Sequence, residues 1–358
     1  MENTVSIYTD IVRPLLFTLP PEKAQKLADV GLRAKPLWKA LRPFFKLNDE
    51  RLHTDMSSIS LSNPIGLAGG YDKDCRLLDP LSNLGFGYIV VGTVLTEPRQ
   101  GNPRPRIARN LSENSLVNSL GFPSHGLEAA ADRLRRSSSR NVPVLASISG
   151  LSVEEFYHCY QTLQPLASGI ELNISSPNTE GIRIFQEPKQ LEELLAALRP
   201  LKESPLFLKL PPYFDEAQRS RTMELVDLCL KHAVDGVTAV NTRPVEDDRL
   251  AIGRGGLSGR PLYSHMLRIV GEIRRHAGDG LVINACGGIS SGENALEALQ
   301  AGATTVQLFT GFIYRGPGLM RQINRHILRF REKEGIPSLK AIPREPGSRW
   351  WAPGGRDP

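Results

Sequence analysis

The chain has 358 residues, is 40% apolar and 23% charged, and can bury a large core, so a disordered or fibrous protein is excluded. Its net charge is +6, and residues 1–46 hold eight Lys or Arg against four acids, which leaves only +2 for the rest. That distribution argues against a nucleic-acid footprint on the main body, where a clustered basic face is expected.

Residues 1–46 read as amphipathic helices. Ile11, Val12, Leu15, Leu16 and Leu19 form one apolar cluster, and Leu37, Trp38, Leu41, Phe44 and Phe45 form another. Pro20 and Pro21 divide the segment into two helical pieces with basic residues along the polar sides. The pattern suits an interfacial segment, and equally a helical cap whose apolar face packs on the body.

From residue 64 short apolar runs alternate with helical patterns. The runs are Pro64–Ala68, Tyr88–Gly92, Pro143–Ile148, Gly169–Ile174, Leu206–Leu210, Gly236–Val240, Leu281–Ala285 and Thr305–Phe309. They are rich in Val, Ile and Leu without clean alternation, as parallel strands buried on both faces require. Helical stretches fall at 74–84, 124–138, 153–166, 188–202, 216–232, 260–276, 291–301 and 317–334. Eight alternations predict an α/β fold, a (β/α)8 TIM barrel over 47–335 preceded by the N-terminal amphipathic helical segment. Residues 93–123, rich in Pro and Gly, predict an excursion over the barrel mouth. Residues 336–358 form a Pro/Gly-rich tail without regular structure, in which Trp350 and Trp351 are the candidates for docking on the body or on a membrane.

The four cysteines have no C-x-x-C spacing, the seven histidines form no H-E-x-x-H, and a metal site is not expected. No apolar run approaches the ~18 residues of a membrane span, and no secretory leader pattern is present.

A barrel gathers its chemistry at the C-terminal ends of its strands. Those ends carry Gly69, Gly70 and Lys73; Thr93; Ser147; the run Asn173-Ile174-Ser175-Ser176-Pro177-Asn178-Thr179; Lys209; Asn241 and Thr242; Gly288; and Phe309 with Thr310. Asn173, Ser176 and Asn178 leave one strand end together, where two amides and a hydroxyl can meet a flat imide-like ring. The same residues also suit a plain polar turn. Gly255–Gly259 reads as an amide-rich loop, and the glycines after the last strands suit a phosphate beside a helix N-terminus. Lys209 lies inside an apolar strand, where an ammonium needs an anionic partner. Together these suit flavin mononucleotide (FMN) beside a small cyclic amide.

The runs Asn63–Lys73, Gly92-Thr93-Val94, Asn173–Thr179, Asn241-Thr242, Gly255–Gly259 and Val306–Phe312 resemble the motif set of the dihydroorotate dehydrogenase family. The resemblance covers about residues 8–330 and implies a barrel holding FMN. It puts Ser176 in the position of the catalytic base, which takes the C5 proton of dihydroorotate as the C6 hydride leaves for the flavin. Serine there marks the membrane-associated branch that uses a quinone. It implies Lys73, Asn118, Asn173, Asn178, Asn241 and Thr242 as pyrimidine contacts. It implies Gly69, Gly70, Lys73, Thr93, Ser147, Asn173, Lys209, Gly259, Gly288, Phe309 and Thr310 as flavin contacts. Residues 1–46 would form the quinone entrance on a peripheral membrane protein, at the cytoplasmic face of a bacterial inner membrane. All of those contacts lie beyond position 60, so removal of 1–46 is expected to spare substrate oxidation and impair quinone reduction. Ser147 stands where the quinone branch offers asparagine, and Val240 where threonine is common. Residues 146–150 and 118–123 are closer to the soluble branches. A soluble-branch-like FMN enzyme using fumarate or another acceptor, and a non-redox phosphate-binding barrel, are the alternatives.

Overall fold

The computed structural model describes residues 6–137, 142–179 and 181–342. Eight parallel strands close a barrel: β1 (Ile65–Leu67), β2 (Tyr88–Val94), β3 (Val144–Ile148), β4 (Gly169–Asn173), β5 (Leu206–Lys209), β6 (Gly236–Ala239), β7 (Val282–Cys286) and β8 (Thr305–Leu308). These are the eight runs expected from sequence, paired in chain order, with β8 closing on β1. Helices between them bury one stripe on the sheet. In Pro188–Leu198 that stripe is Leu191, Leu194, Leu195 and Leu198, all buried. Each contributes roughly 1.5–3 kcal/mol relative to exposure. Ser152, Asp215 and Ser291 cap three of these helices through side-chain oxygens that accept from backbone N–H groups, which satisfies donors the first turn leaves free.

The bottom of the barrel is closed by a hairpin of Thr54–Met56 and Ile59–Leu61, an element the sequence pattern did not reveal. Met56, Ile59 and Leu61 pack on inward-facing Tyr88, Val90, Leu145 and Phe207. Gly66 leaves room for the Tyr88 ring, because a Cβ there would lie 2.6 Å from Tyr88 Cε1. Above the plug sits a polar layer: Tyr88 Oη and Thr305 Oγ1 are 2.7 Å apart, and Thr305 Oγ1 donates to Asn284 Oδ1 at 2.7 Å. With the bottom sealed, access is from the C-terminal rim.

The rim carries a four-stranded antiparallel sheet made by Ile107–Asn110, Ser115–Asn118, Arg254–Gly259 and Arg243–Glu246. The excursion after β2 therefore has strands of its own. Gly255–Gly259, expected as a loop, is instead part of a strand between the other two pieces. Glycine permits this because a Cβ on Gly255 would approach Asn118 O to 2.7 Å.

The N-terminal segment forms three helical pieces rather than two. Tyr8–Val12 is a π-helical turn running into α1 (Arg13–Phe17), followed by α2 (Pro21–Leu32) and α3 (Lys35–Phe45). The break at Pro20 is as expected. The second break arises because Pro36 has no N–H to give the Leu32 carbonyl. The segment docks on the rim: Tyr8 Oη donates to Ile313 O at 2.6 Å, Arg13 Nη1 to Tyr314 O at 3.1 Å, and Lys35 pairs with Asp79 at 2.5 Å. Beyond Glu334 the described part of the tail holds only the 3-10 turn Leu339–Ala341, and Trp350 and Trp351 lie outside the described residues.

Candidate active site

A cavity of about 920 Å3 opens at the C-terminal ends of the strands and continues beneath the N-terminal helices. Its two ends differ in chemistry. The barrel end is polar and its floor is set by strand register, which puts Asn173 of β4 beside Lys209 of β5 and Cys286 of β7 beside Gln307 of β8. The outer end is mostly apolar, lined by Leu16, Phe17, Trp38 and Phe44, with Gln25 and Arg109 among its polar residues.

The polar end is one connected network. Asn173 Nδ2 donates to Thr93 Oγ1 at 2.9 Å, and Thr93 Oγ1 lies 3.1 Å from Ser147 Oγ. Asn241 Nδ2 donates to Asn173 Oδ1 at 3.3 Å and to Ser175 Oγ at 3.0 Å. Asn178 Nδ2 donates to Asn118 Oδ1 at 3.1 Å, and Asn178 N to Ser176 Oγ at 3.3 Å. Asn118 Nδ2 donates to Gly256 O at 3.3 Å, so the rim sheet holds this amide in place. Asn118, Asn173, Ser176, Asn178, Asn241, Thr242 and Lys73 thus face one cavity although they come from separate stretches of chain. Ser176 itself is buried, 7% exposed. Asn178 Oδ1 and Thr179 Oγ1 are buried without a protein partner.

Lys73 lies half-buried at the mouth. Burial pushes its ammonium below the ordinary lysine range, opposed by the carboxylates of Asp29 and Asp74. Asp72 fixes the turn that presents Lys73 by accepting from Arg76 N and Leu77 N, both at 2.8 Å. Burial raises the Asp72 carboxyl to about 6 against those two hydrogen bonds.

Gly69, Gly70, Thr93, Lys209, Gly259, Gly288, Phe309 and Thr310 also line the cavity. Ser147 does not; it is fully buried and reaches the cavity through Thr93. At the far corner Gly288 has φ +74° and a Cβ there would sit 2.6 Å from Tyr263 Cβ, while Gly259 has φ +96°. Ser258 Oγ and Thr310 Oγ1, 2.8 Å apart, complete that corner. Small residues and hydroxyls make it a cradle for an oxygen-rich group.

Sequence reading missed Glu171, Cys286 and Gln307. Glu171 is buried in β4 two residues before Asn173, so period-two alternation sends both inward. Its Oε2 accepts from Thr238 Oγ1 at 2.7 Å and its Oε1 has no protein partner. Burial pushes the Cys286 thiol up, the Lys209 ammonium pulls it down and the Glu171 carboxylate raises it further, so both charges converge there. An acid inside an apolar strand was the available signal for Glu171. Cys286 and Gln307 gave none.

Among the described residues no His, Cys, Asp and Glu cluster could hold a metal ion, and no helix is long and apolar enough to cross a membrane.

The chain is similar to known proteins over most of its length. Residues 51–330 match the family model of dihydroorotate dehydrogenase. The chain is 38% identical over 348 residues to a dihydroorotate dehydrogenase (quinone) of Thermus thermophilus, covering 92% of this chain and 99% of that protein. It is 37% identical to the protein of the same name from Roseiflexus sp., covering 94% and 97%. Among solved structures, the DHODH of Eimeria tenella in complex with ferulenol superposes with a TM-score of 0.79 at 26% identity, covering 92% of this chain and 98% of that one.

Proposed function

This chain belongs to the dihydroorotate dehydrogenase family, and we infer from that membership that it oxidises dihydroorotate to orotate in pyrimidine biosynthesis, with a quinone as electron acceptor. The observation that carries this reading is the two-ended cavity, polar and amide-lined inside the barrel and apolar beneath α1–α3. A polar cyclic imide and an apolar quinone need opposite surroundings, and a flavin between them can serve both.

The family is flavin-dependent, and we propose FMN as the flavin. The residues fit it: Gly259, Gly288 and Thr310 would hold its phosphate, and Gly69, Gly70, Thr93, Asn173 and Lys209 its ring. When bound, the flavin supplies the two-electron acceptor. Lys209 puts a positive charge where an electron-rich ring is favoured.

Lys73, Asn118, Asn173, Asn178, Asn241 and Thr242 are the proposed pyrimidine contacts. Lys73 binds the carboxylate and the amides fix the ring. The partnerless Asn178 Oδ1 gains a donor when a ring N–H arrives. Ser176 is the proposed base at C5. A free hydroxyl is a weak base, so the proton must move on; Thr179 Oγ1, buried and without a protein partner three residues along, is the proposed next acceptor.

We also propose peripheral membrane association through the N-terminal segment, at the cytoplasmic face of a bacterial inner membrane. What supports it is the set of exposed apolar side chains Ile11, Leu15, Leu27, Val30, Leu37 and Phe44, among eight basic residues.

The test is spectroscopic. Purified protein should be yellow, release FMN on heating, bleach on anaerobic addition of dihydroorotate, and recover colour on addition of a quinone. A colourless protein, or a flavin that dihydroorotate leaves oxidised, refutes the reading. Co-sedimentation with anionic vesicles that does not differ between the full chain and one with Leu15 and Phe44 replaced by serine refutes the membrane proposal.

A further inference from the structure

Sequence order suggests that the N-terminal helices and the pyrimidine site are independent. A continuous set of hydrogen bonds joins them. Glu22 lies in the first turn of α2. Its Oε1 accepts from Arg106 Nη2 at 2.7 Å, from Arg106 Nε at 3.1 Å and from Arg104 Nε at 3.1 Å. Arg106 is buried, so its guanidinium depends on that carboxylate. Arg106 Nη1 donates to Gln100 O at 2.9 Å and Asn102 O at 3.5 Å, and Arg106 O accepts from Ser119 N at 2.8 Å.

Asn102 is the next link. Its backbone N donates to Leu120 O at 3.0 Å. Its side-chain Nδ2 donates both to Ser119 O at 3.0 Å and to Asn178 O at 3.1 Å. One amide thus ties the excursion that bears Asn118 to the turn that bears Ser176 and Asn178. The excursion is shaped around it: Gly121 has φ +66°, and a Cβ there would lie 2.6 Å from Asn102 Cγ.

We propose that Glu22, Arg106 and Asn102 are positioning residues for substrate binding, through which docking of α2 sets the spacing between Asn118 and Asn178. None of the three lines the cavity. The inference rests on the function assigned above to that site. It also changes the expectation that removing residues 1–46 spares substrate oxidation, because removal takes Glu22 and with it the carboxylate that holds Arg106 in place.

The test uses the full-length, flavin-loaded protein, with orotate affinity read from the flavin spectrum and dihydroorotate oxidation from anaerobic stopped-flow. Glu22→Gln and Asn102→Ala should each raise the orotate Kd and the half-saturating dihydroorotate concentration about three- to ten-fold, the effect of one or two hydrogen bonds. The limiting rate and flavin content should stay close to the parent's in both, as should the melting temperature of Asn102→Ala; Glu22→Gln, which leaves the buried Arg106 guanidinium without its carboxylate, should melt lower. Lys35→Gln is the control: it loosens the same segment at its Asp79 pair, away from the excursion, and should leave orotate affinity unchanged. Should Glu22→Gln fail to fold, Asn102→Ala, which keeps the Glu22–Arg106 pair, decides alone. Parent-like orotate affinity in Asn102→Ala, or an equal loss in Lys35→Gln, overturns the relay. Failure of the parent itself to bind orotate refutes the functional assignment instead.

Discussion

Replacing Ser176 by alanine separates proton removal from binding, because the structure gives the two effects different sizes. Ser176 Oγ accepts one backbone hydrogen bond, from Asn178 N, and at 3.3 Å it is long. Losing such a bond costs about 0.5–1.5 kcal/mol, or roughly two- to thirteen-fold in orotate affinity at most. Losing a positioned base costs about 10²–10⁴-fold in rate. The rate of flavin reduction by dihydroorotate should therefore fall roughly eight-fold or more further than affinity does. Ser176→Cys adds a sign. A free thiol ionises near ~8.5, and burial raises the other buried thiols here, Cys159 to about 11. The thiolate fraction grows with pH, so the cysteine variant should recover rate as pH rises through the alkaline range. Anaerobic stopped-flow across pH, with orotate titrations beside it, measures both quantities. A Ser176→Ala rate within a few-fold of the parent, or an affinity loss as large as the rate loss, would refute the assignment of Ser176 as base.

Three further outcomes are expected. Gly288→Ala should lower flavin content, since its Cβ would meet Tyr263 Cβ at 2.6 Å at a φ of +74°; equal flavin per chain in parent and variant refutes the phosphate corner. Lys73 holds its proton less tightly than an ordinary lysine, so orotate affinity should weaken as pH rises through that lowered pKa. Lys73→Met should bind orotate weakly at neutral pH and lose this alkaline limb, and persistence of the limb in the variant assigns it elsewhere. Gly66→Ala should destabilise the barrel by about 1–3 kcal/mol through overpacking against the Tyr88 ring, read as a lower midpoint in urea.

The barrel was legible because its strands are buried on both faces. Runs such as Tyr88–Val94 and Val144–Ile148 are apolar almost throughout, and that shows without knowledge of partners. Asn173, Ser176 and Asn178 were legible because polar residues at the end of such a run have no packing reason to be there. The rim strand Arg254–Gly259 was hidden. It carries three glycines and pairs with Ser115–Asn118, from which it is separated by more than a hundred residues, so its conformation is set by a neighbour and not by its own pattern. The hairpin 54–61 was hidden for a related reason: each of its strands has only three residues, too few to establish a period.

The contacts between parts follow the same logic one level higher. In sequence Glu22 is an acid in the first turn of a helix, where the dipole alone justifies it. Arg106 is one of several basic residues in a Pro-rich stretch. Neither carries a local conflict that marks it. The conflict exists only after folding, when Arg106 is taken out of water and needs a carboxylate that α2 supplies. A buried ion pair of this kind stabilises little beyond what two apolar side chains would. It does fix which surface of the helix meets which loop, because any other docking leaves the guanidinium unpaired. The excursion so fixed also presents Asn118 to the cavity. On the proposed relay, the placement of α2 and the spacing between Asn118 and Asn178 are therefore set by one and the same constraint.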